Sequence, residues 1–187
     1  MTPAGNSSTD PGTLALRRHL ETTRFIGLVV LIGASGSGKS HRAAKAFAPT
    51  QISSLDHYRA LASDDAGNQD ATADAVTIQT LILSTRLRRG LYTVVDNTSV
   101  EAGHREDLIA LARDHGRPAI AVPIVTDLDT CLARNALRPP ARRVPDDTVR
   151  WQHHLATESL PHLMSEGFTA VYPIHSPTPA DPDQENA

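Results

Sequence analysis

Residues 33–40 read Gly33-Ala34-Ser35-Gly36-Ser37-Gly38-Lys39-Ser40. These eight residues match, at every specified position, the pattern of a loop that surrounds nucleotide phosphates. The apolar run 27–32 leads into them and a helix-forming segment follows, which is the order of elements that the pattern requires. The glycines let backbone N–H groups turn inward at the positive end of the new helix. We therefore expect residues 33–40, called the phosphate loop below, to bind a nucleotide.

Two residues of the phosphate loop predict the cofactors. Lys39 would place a mobile ammonium on the β and γ phosphates of ATP. Ser40 would offer a hydroxyl oxygen to Mg²⁺, a cation that prefers oxygen ligands. The alternative is a turn rich in Gly and Ser that matches by chance, and the strand before it and the helix after it argue against that. The predicted cofactors are ATP and Mg²⁺.

The sequence on both sides of the phosphate loop alternates between strand and helix patterns. Strands are expected at 27–32, 51–55, 91–95, 119–125 and 169–173. Helices are expected at 43–48, 71–89, 101–115, 128–137 and 146–165. Such alternation is typical of a parallel sheet covered by helices on both faces. The predicted fold class is α/β, a P-loop NTPase or kinase fold with a mostly parallel five-stranded sheet and an arginine-rich lid.

The length of 187 residues is that of one domain. Residues 1–24 are predicted to be an N-terminal tail that is largely disordered, with a short helix at 14–23. Residues 25–175 are predicted to be the P-loop kinase domain. Residues 176–187, rich in Pro and acidic or small polar types, are predicted to be a disordered C-terminal tail.

Composition excludes several classes of protein. The net charge of −3 argues against a basic surface that coats nucleic acid. The single cysteine excludes an internal disulfide and a cysteine-built metal cluster, and it suits the reducing cytoplasm, where we expect this protein. The longest apolar run is far shorter than the roughly 20 residues of a membrane helix. No membrane partner and no metal cluster are predicted.

Asp96 ends the apolar strand 91–95, where ligands gather in open α/β sheets. A second acid in this place commonly completes the metal and water site of a phosphate loop. We expect Asp96 to contact Mg²⁺ through bound water. The alternative is an Asp that caps the next turn.

A kinase also needs a carboxylate that takes the proton of the acceptor hydroxyl. Asp56 follows the second predicted strand and would emerge on the side of the phosphate loop. Arg59 lies three residues further on and would share a helix face with Asp56. A base beside an anion-binding arginine fits an acceptor that carries a phosphate. An N-cap Asp with a solvated Arg is an equal alternative.

A cluster of arginines lies between the last two predicted strands. Five arginines and two aspartates give residues 134–150, called the lid below, a charge of +3. Arg134 and Arg138 are four residues apart and project from one helix face. Arginine binds phosphate oxygens bidentately and stabilises charge in a transition state. The alternative is a solvated basic helix.

These segments resemble the polynucleotide 5′-hydroxyl kinase module of bacterial end-healing and repair proteins. The resemblance covers 28–174 and rests on Gly33 to Ser40, Ser53 to Arg59 with 63–65, 93–98 with Arg105, Arg134-Asn135-x-x-Arg138, and 166–168. Two positions depart from the family pattern. Asn97 stands where a small residue is usual, and Ser99 stands where Asn is expected.

The resemblance implies a role for each matching residue. Asp56 would be the general base, and Arg59 would bind the phosphate of the acceptor. ATP, Mg²⁺ and the transferred phosphoryl group would be held by the phosphate loop, above all by Lys39 and Ser40, and by Arg134 and Arg138 of the lid. Arg142 or Arg143 would be a further lid arginine that contacts substrate, and the sequence does not tell them apart.

The predicted function is transfer of the γ-phosphoryl group of ATP to a 5′-hydroxyl end of an RNA or DNA oligonucleotide. The phosphatase and ligase modules of the multi-part relatives have no room in 187 residues, so separate proteins would supply those steps. One alternative is a small-molecule P-loop kinase that acts on a sugar, nucleoside or antibiotic hydroxyl. Another is a regulatory module that binds a nucleotide and hydrolyses it slowly.

Overall fold

The strands form one parallel sheet. A computed structural model describes residues 11–176 of the chain. Among them the strand order is β2-β3-β1-β4-β5, and β6 also pairs with β4. Every pairing is parallel. The strands are β1 (Leu28–Ile32), β2 (Ile52–Ser53), β3 (Thr93–Val95), β4 (Ala119–Val125), β5 (Ala170–Val171) and β6 (Ile174–His175).

Helices cover both faces of the sheet, as predicted. They are α1 (Pro11–Thr22), α2 (Lys39–Ala46), α3 (Leu55–Ser63), α4 (Thr72–Arg88), α5 (Ala102–Asp114), α6 (Leu128–Ala136), α7 (Asp146–Ser159) and α8 (Leu163–Glu166). Val29 and Leu31 of β1 pack in one core cluster with α1 and α2. Leu28 and Val30 face the opposite cluster, which α4, α5 and α8 complete. Alternate side chains of one buried strand therefore serve two cores.

The short helix predicted at 14–23 is present and begins three residues earlier, but it packs into the core, so the prediction of a largely disordered tail is wrong for 11–22. Residues 11–22 form α1, and Leu16 and Leu20 are buried in the core against α2 and β4. These two leucines are four residues apart, so they lie on one helix face. Burial of that face stabilises a segment whose flanks are polar. Residues 1–10 lie outside the described residues.

The described sheet has six strands where five were predicted. The additional strand is β6, in which Ile174 pairs with Ile124 of β4. Pro173 interrupts the sequence between β5 and β6 and hides the second, two-residue strand. Ser176 follows β6 and accepts a hydrogen bond from Thr126 Oγ1 at 2.7 Å. The rest of the predicted C-terminal tail, 177–187, lies outside the described residues.

The helix predicted over 146–165 is interrupted. α7 ends at Ser159, a 3₁₀ turn spans Leu160–His162, and α8 begins at Leu163. Pro161 lies in that turn, and a proline cannot donate the backbone hydrogen bond of a helix interior. No helix within 11–176 combines the length and apolar character needed to cross a membrane.

Candidate active site

The phosphate loop joins β1 to α2 and packs directly against the helix that starts the lid. Gly36 and Gly38 have φ values of 84° and 96°, which only glycine adopts without strain. A Cβ at Gly36 would lie 2.2 Å from the carbonyl oxygen of Cys131 in α6. The backbone N–H of Gly33 donates to Thr98 O at 3.0 Å. The loop is thus fixed to α6 on one side and to the segment after β3 on the other.

Lys39 lies at the centre of the phosphate loop. Its Nζ donates to Gly33 O at 2.7 Å, to Ala34 O at 2.8 Å and to Ser37 Oγ at 3.3 Å. Burial lowers the pKa of Lys39 to about 8, and the charge of Asp96 opposes this shift. The ammonium is therefore held where phosphate oxygens would meet the loop.

Asp96 follows β3 at the carboxyl edge of the sheet, beside β1. Burial raises the pKa of Asp96, whereas a hydrogen bond with Ser40 and the charge of Lys39 lower it. Its Oδ1 is buried and has no hydrogen-bond partner among the described residues. A buried carboxylate oxygen without a partner is costly unless a ligand satisfies it.

The pair of Ser40 and Asp96 fits Mg²⁺. A hydroxyl and a carboxylate oxygen are the hard ligands that this cation prefers, and Mg²⁺ normally completes its octahedron with water and phosphate oxygens. Within 11–176, no three His, Cys, Asp or Glu side chains converge to hold a metal. A cation here would therefore depend on the phosphates of a nucleotide as well as on these two residues.

Asp56 and Arg59 meet on the first turns of α3. They form an ion pair across the spacing of three residues that predicted a shared face. The Asp56 side chain is half exposed, while Arg59 is buried and its Nε donates to Ala66 O at 3.0 Å. The charge of Asp56 shifts the pKa values of both Lys39 and Asp96. Asp56 follows β2 and the phosphate loop follows β1, so both lie at the carboxyl edge of the sheet with Asp96, which follows β3, between them.

The lid arginines divide into two groups. Arg134 Nη1 lies 3.5 Å from Gly36 O, and the charge of Arg138 lowers the pKa of Lys39. Arg134 thus contacts the phosphate loop, while a role of either arginine in holding the transferred phosphoryl group stays a prediction. Arg142 Nη2 lies 3.5 Å from Asp56 Oδ2, and the region around Asp56, Arg59 and Arg142 is called the acceptor side below.

The structure distinguishes Arg142 from Arg143, which the sequence left equivalent. Arg143 Nη2 donates to Ala136 O at 2.7 Å and to Arg138 O at 3.3 Å. These carbonyls belong to the end of α6 and the turn after it, so Arg143 closes that end of the helix. The expectation that Arg143 contacts substrate is therefore not supported by its position, and Arg142 is the lid arginine beside Asp56.

A family model described as an AAA domain matches residues 28–160. The chain belongs to the AAA domain family. No curated protein matches it. The matched range of this AAA domain contains the phosphate loop, Asp56, Arg59, Asp96 and the whole lid.

Solved structures share the fold of this AAA domain. A chain of the AvrRxo1-ORF1:-ORF2 complex aligns with a TM-score of 0.59 and 20% identity, covering 84% of this chain and 55% of that one. The present chain thus spans little more than half of that relative. A Chloroflexus aurantiacus protein provisionally described as a kinase aligns with a TM-score of 0.60 and 15% identity, covering 86% and 93%. A structure from the PezAT toxin-antitoxin system of Streptococcus pneumoniae aligns with a TM-score of 0.56 and 17% identity, covering 98% of this chain and 85% of that one. The fold is a P-loop kinase-like α/β fold.

Sequence reasoning missed a side chain that supports the phosphate loop of this AAA domain. Gln152 of α7 accepts a hydrogen bond from Ser35 N at 2.9 Å through its Oε1. The two residues are 117 positions apart, and no local pattern links them.

Arg105 holds the loop after Asp96. Its guanidinium makes two hydrogen bonds of 2.6 Å to Glu166 and donates to Ser99 O and Val100 O at 3.0 and 2.6 Å. Ser99 adopts a φ of 48°, and its buried hydroxyl has no hydrogen-bond partner among the described residues. The polynucleotide 5′-hydroxyl kinase module has Asn at this position, and Asn tolerates this backbone conformation better than Ser. The hydrogen bonds of Arg105 therefore fix the strained turn at Ser99, three residues after Asp96.

Proposed function

We propose that this AAA domain transfers the γ-phosphoryl group of ATP, with Mg²⁺, to a 5′-hydroxyl end of an oligonucleotide. The observation that carries the proposal is the position of Asp56 at the same edge of the sheet as the phosphate loop, in contact with the guanidinium groups of Arg59 and Arg142. A nucleotide-binding module without transfer would need no such carboxylate. The AvrRxo1-ORF1:-ORF2 complex, which shares the fold, has also been solved with ATP.

The residues divide the reaction between them. Asp56 accepts the proton of the acceptor hydroxyl while the hydroxyl oxygen forms a bond to the γ-phosphorus. The bond from that phosphorus to the oxygen bridging to the β-phosphate breaks, and ADP leaves with the electron pair. Lys39, Arg134 and Arg138 neutralise the charge on the phosphoryl oxygens. Bound Mg²⁺, held by Ser40 and Asp96, would supply further neutralisation of the phosphates.

The cations around Asp56 support an acceptor that carries a phosphate. A nucleotide at a 5′ end carries a phosphate one sugar away from the reacting hydroxyl, and two arginines suit its oxygens. The segments Ser53 to Arg59 and Arg134 to Arg138 resemble polynucleotide 5′-kinases in the same places. Separate proteins, in the cytoplasm, would provide the phosphatase and ligase steps of end repair.

A small phosphorylated acceptor is the second candidate. Residues 64–68 form the acceptor loop between α3 and the next 3₁₀ turn, and the lid lies against it. A Cβ at Gly67 would lie 3.1 Å from Ala141 O of the lid. This close approach covers the acceptor side and favours a compact substrate with an anionic group.

The test measures transfer of labelled γ-phosphate from ATP to a short RNA and a short DNA, each with a 5′-hydroxyl. The same oligonucleotides with a 5′-phosphate are the negative controls, and Asp56→Asn is the matched variant. We expect label only on the 5′-hydroxyl ends and only with wild type. Transfer to phosphorylated sugars or nucleosides but to neither oligonucleotide would establish the second candidate. ATP turnover without any acceptor, unchanged in Asp56→Asn, would establish a regulatory module instead.

A further inference from the structure

The two carboxylates of the site are linked through their chain neighbours. Leu55 immediately precedes Asp56, and Asn97 immediately follows Asp96. The backbone N–H of Leu55 donates to Asn97 Oδ1 at 3.0 Å. One hydrogen bond thus connects the first residue of α3 with the loop after β3.

This contact takes the place of a helix cap. Ser54 precedes α3, but its side chain makes no capping hydrogen bond. A helix begins with N–H groups that have no partner inside the helix, and a side-chain oxygen normally accepts from one of them. Asn97 supplies that oxygen from the loop after β3. The first turn of α3, which carries Asp56, is therefore fixed to the end of β3 rather than to its own preceding residue.

The hydrogen bonds continue from Asn97 into the core. Asn97 Nδ2 donates to Gln79 Oε1 at 3.0 Å, and Gln79 Nε2 donates to Ser53 Oγ at 3.1 Å. Ser53 Oγ lies 3.3 Å from Tyr58 Oη. Because Leu55 N can only donate, Asn97 Oδ1 must accept, and this fixes the orientation of both amides in turn.

Burial makes this chain of polar groups costly to leave incomplete. Gln79, Ser53 and Tyr58 are 5%, 1% and 6% exposed. A buried amide that loses its partner incurs most of its desolvation cost. Gln79 lies on the core face of α4, together with Ala75, Leu83 and Leu87. Its amide group lies on an otherwise apolar face. It bonds to Ser53, which lies three residues before Asp56, and to Asn97, which follows Asp96.

We propose that Asn97 and Gln79 are positioning residues that hold Asp56 in register with Asp96. The inference rests on the proposed function and adds two residues to it. Neither amide touches the reacting atoms. Asn97 fixes the start of α3, and Gln79 fixes the amide plane of Asn97. Asn97 is also one of the two departures from the family pattern, so the resemblance does not supply this role.

The test replaces Asn97 with Leu, which keeps the branched shape of the side chain but removes both hydrogen bonds. We expect kcat to fall about 10- to 100-fold, as for other residues that orient reacting groups. The KM for ATP should change less than twofold, because the phosphate loop is held by other contacts. Asn97→Asp keeps an oxygen that accepts from Leu55 N but loses the donation to Gln79, so it should recover part of the rate. Thr80→Ala, on the exposed face of α4, is the control and should leave kcat unchanged.

A double-mutant cycle that combines Asn97→Leu with Asp56→Asn separates a positioning role of Asn97 from a general loss of structure. Once the base is absent, its position no longer matters, so Asn97→Leu should cost less than threefold in that background. A loss of 10- to 100-fold in both backgrounds would overturn the proposal. If Asn97→Leu does not fold, Gln79→Met removes the next hydrogen bond of the chain and takes its place in the cycle.

A readout without catalysis distinguishes this proposal from the proposed function. Amide hydrogen exchange at Leu55 should accelerate at least tenfold in Asn97→Leu and return toward the wild-type rate in Asn97→Asp. Unchanged exchange at Leu55 would overturn the positioning role, whatever the activity. If wild type transfers phosphate to no acceptor while Leu55 responds as expected, the proposed function fails and the link between the two loops stands.

Discussion

Arg142 Nη2 lies 3.5 Å from Asp56 Oδ2, so the lid and the candidate base are in contact across the acceptor side of the site. Arg59 holds the other carboxylate oxygen from the opposite side. An acceptor must enter between these groups. The contacts that place Asp56 therefore also define which acceptors can reach it.

Asp56→Asn should lower phosphoryl transfer about 10²- to 10⁴-fold, the usual contribution of a general base. ATP affinity should remain within twofold, because Asp56 does not belong to the phosphate loop. The single tryptophan, Trp151, precedes Gln152, which contacts Ser35 of the loop, so its fluorescence can follow ATP binding. Asp74→Asn, an exposed carboxylate on α4, is the control. Full activity in Asp56→Asn would remove the base assignment.

Arg142→Ala should raise the KM for a phosphorylated acceptor about tenfold, the effect of one hydrogen bond to a charged group. Its KM for ATP should not change. Arg143→Ala is the matched variant, and it should leave the acceptor KM near that of wild type because Arg143 binds carbonyls at the end of α6. Steady-state kinetics with a 5′-hydroxyl dinucleotide measure both constants. A larger effect in Arg143→Ala would reverse the assignment of the two arginines.

Lys39→Met should change how stability depends on pH. The pKa of Lys39 is about 8 in the folded protein and about 10.5 in the unfolded chain, so the folded state binds fewer protons between these values. The wild type should therefore gain stability relative to Lys39→Met as pH rises from 8 to 10.5, by up to about 3 kcal/mol. Below pH 8 the difference should be flat. Urea unfolding of both proteins at several pH values measures it, and Lys45→Met, at a partly exposed lysine outside the phosphate loop, is the control.

Asp96→Asn should stabilise the nucleotide-free protein and weaken its use of Mg²⁺. Burial raises the pKa of Asp96, so the folded state binds more protons than the unfolded chain and the wild type loses stability as pH rises from about 4. The neutral amide avoids that loss at pH 7. The Mg²⁺ concentration for half-maximal transfer should rise about 10- to 100-fold. Thermal unfolding tests the expected gain in stability, and a Mg²⁺ titration of activity tests the expected weaker use of Mg²⁺. An unchanged Mg²⁺ requirement would exclude Asp96 from the metal site.

Gly36→Ala should destabilise the protein by at least about 2 kcal/mol, through its left-handed backbone and the overlap with Cys131 O. Gly103→Ala is the control, because a Cβ there meets nothing within 4 Å and the residue lies in α5. That variant should be about 0.5–1 kcal/mol more stable than wild type. Chemical denaturation gives both values. Equal stability of the two variants would show that Gly36 does not need to be glycine.

The parts of this molecule that follow local patterns were predictable from sequence. The phosphate loop depends on glycines and on two adjoining elements, all within a few residues. The spacing of Asp56 and Arg59 needed only one helical turn. In contrast, Asn97 and Gln79 are 18 residues apart and meet only because β3 and α4 pack together. Arg142 and Arg143 differ only in the direction that the turn after Pro139 and Pro140 gives them, which no pattern specifies.

The contact of Gly36 with Cys131 limits how closely α6 can approach the phosphate loop. Since no side chain separates the two backbones, α6 has no room to slide further toward the loop. Arg134 lies about 4.5 Å along the helix axis from Cys131, whereas Arg142 lies beyond the far end of α6. If α6 rotated about this contact, the distance from Arg142 to Asp56 would change more than the distance from Arg134 to Gly36.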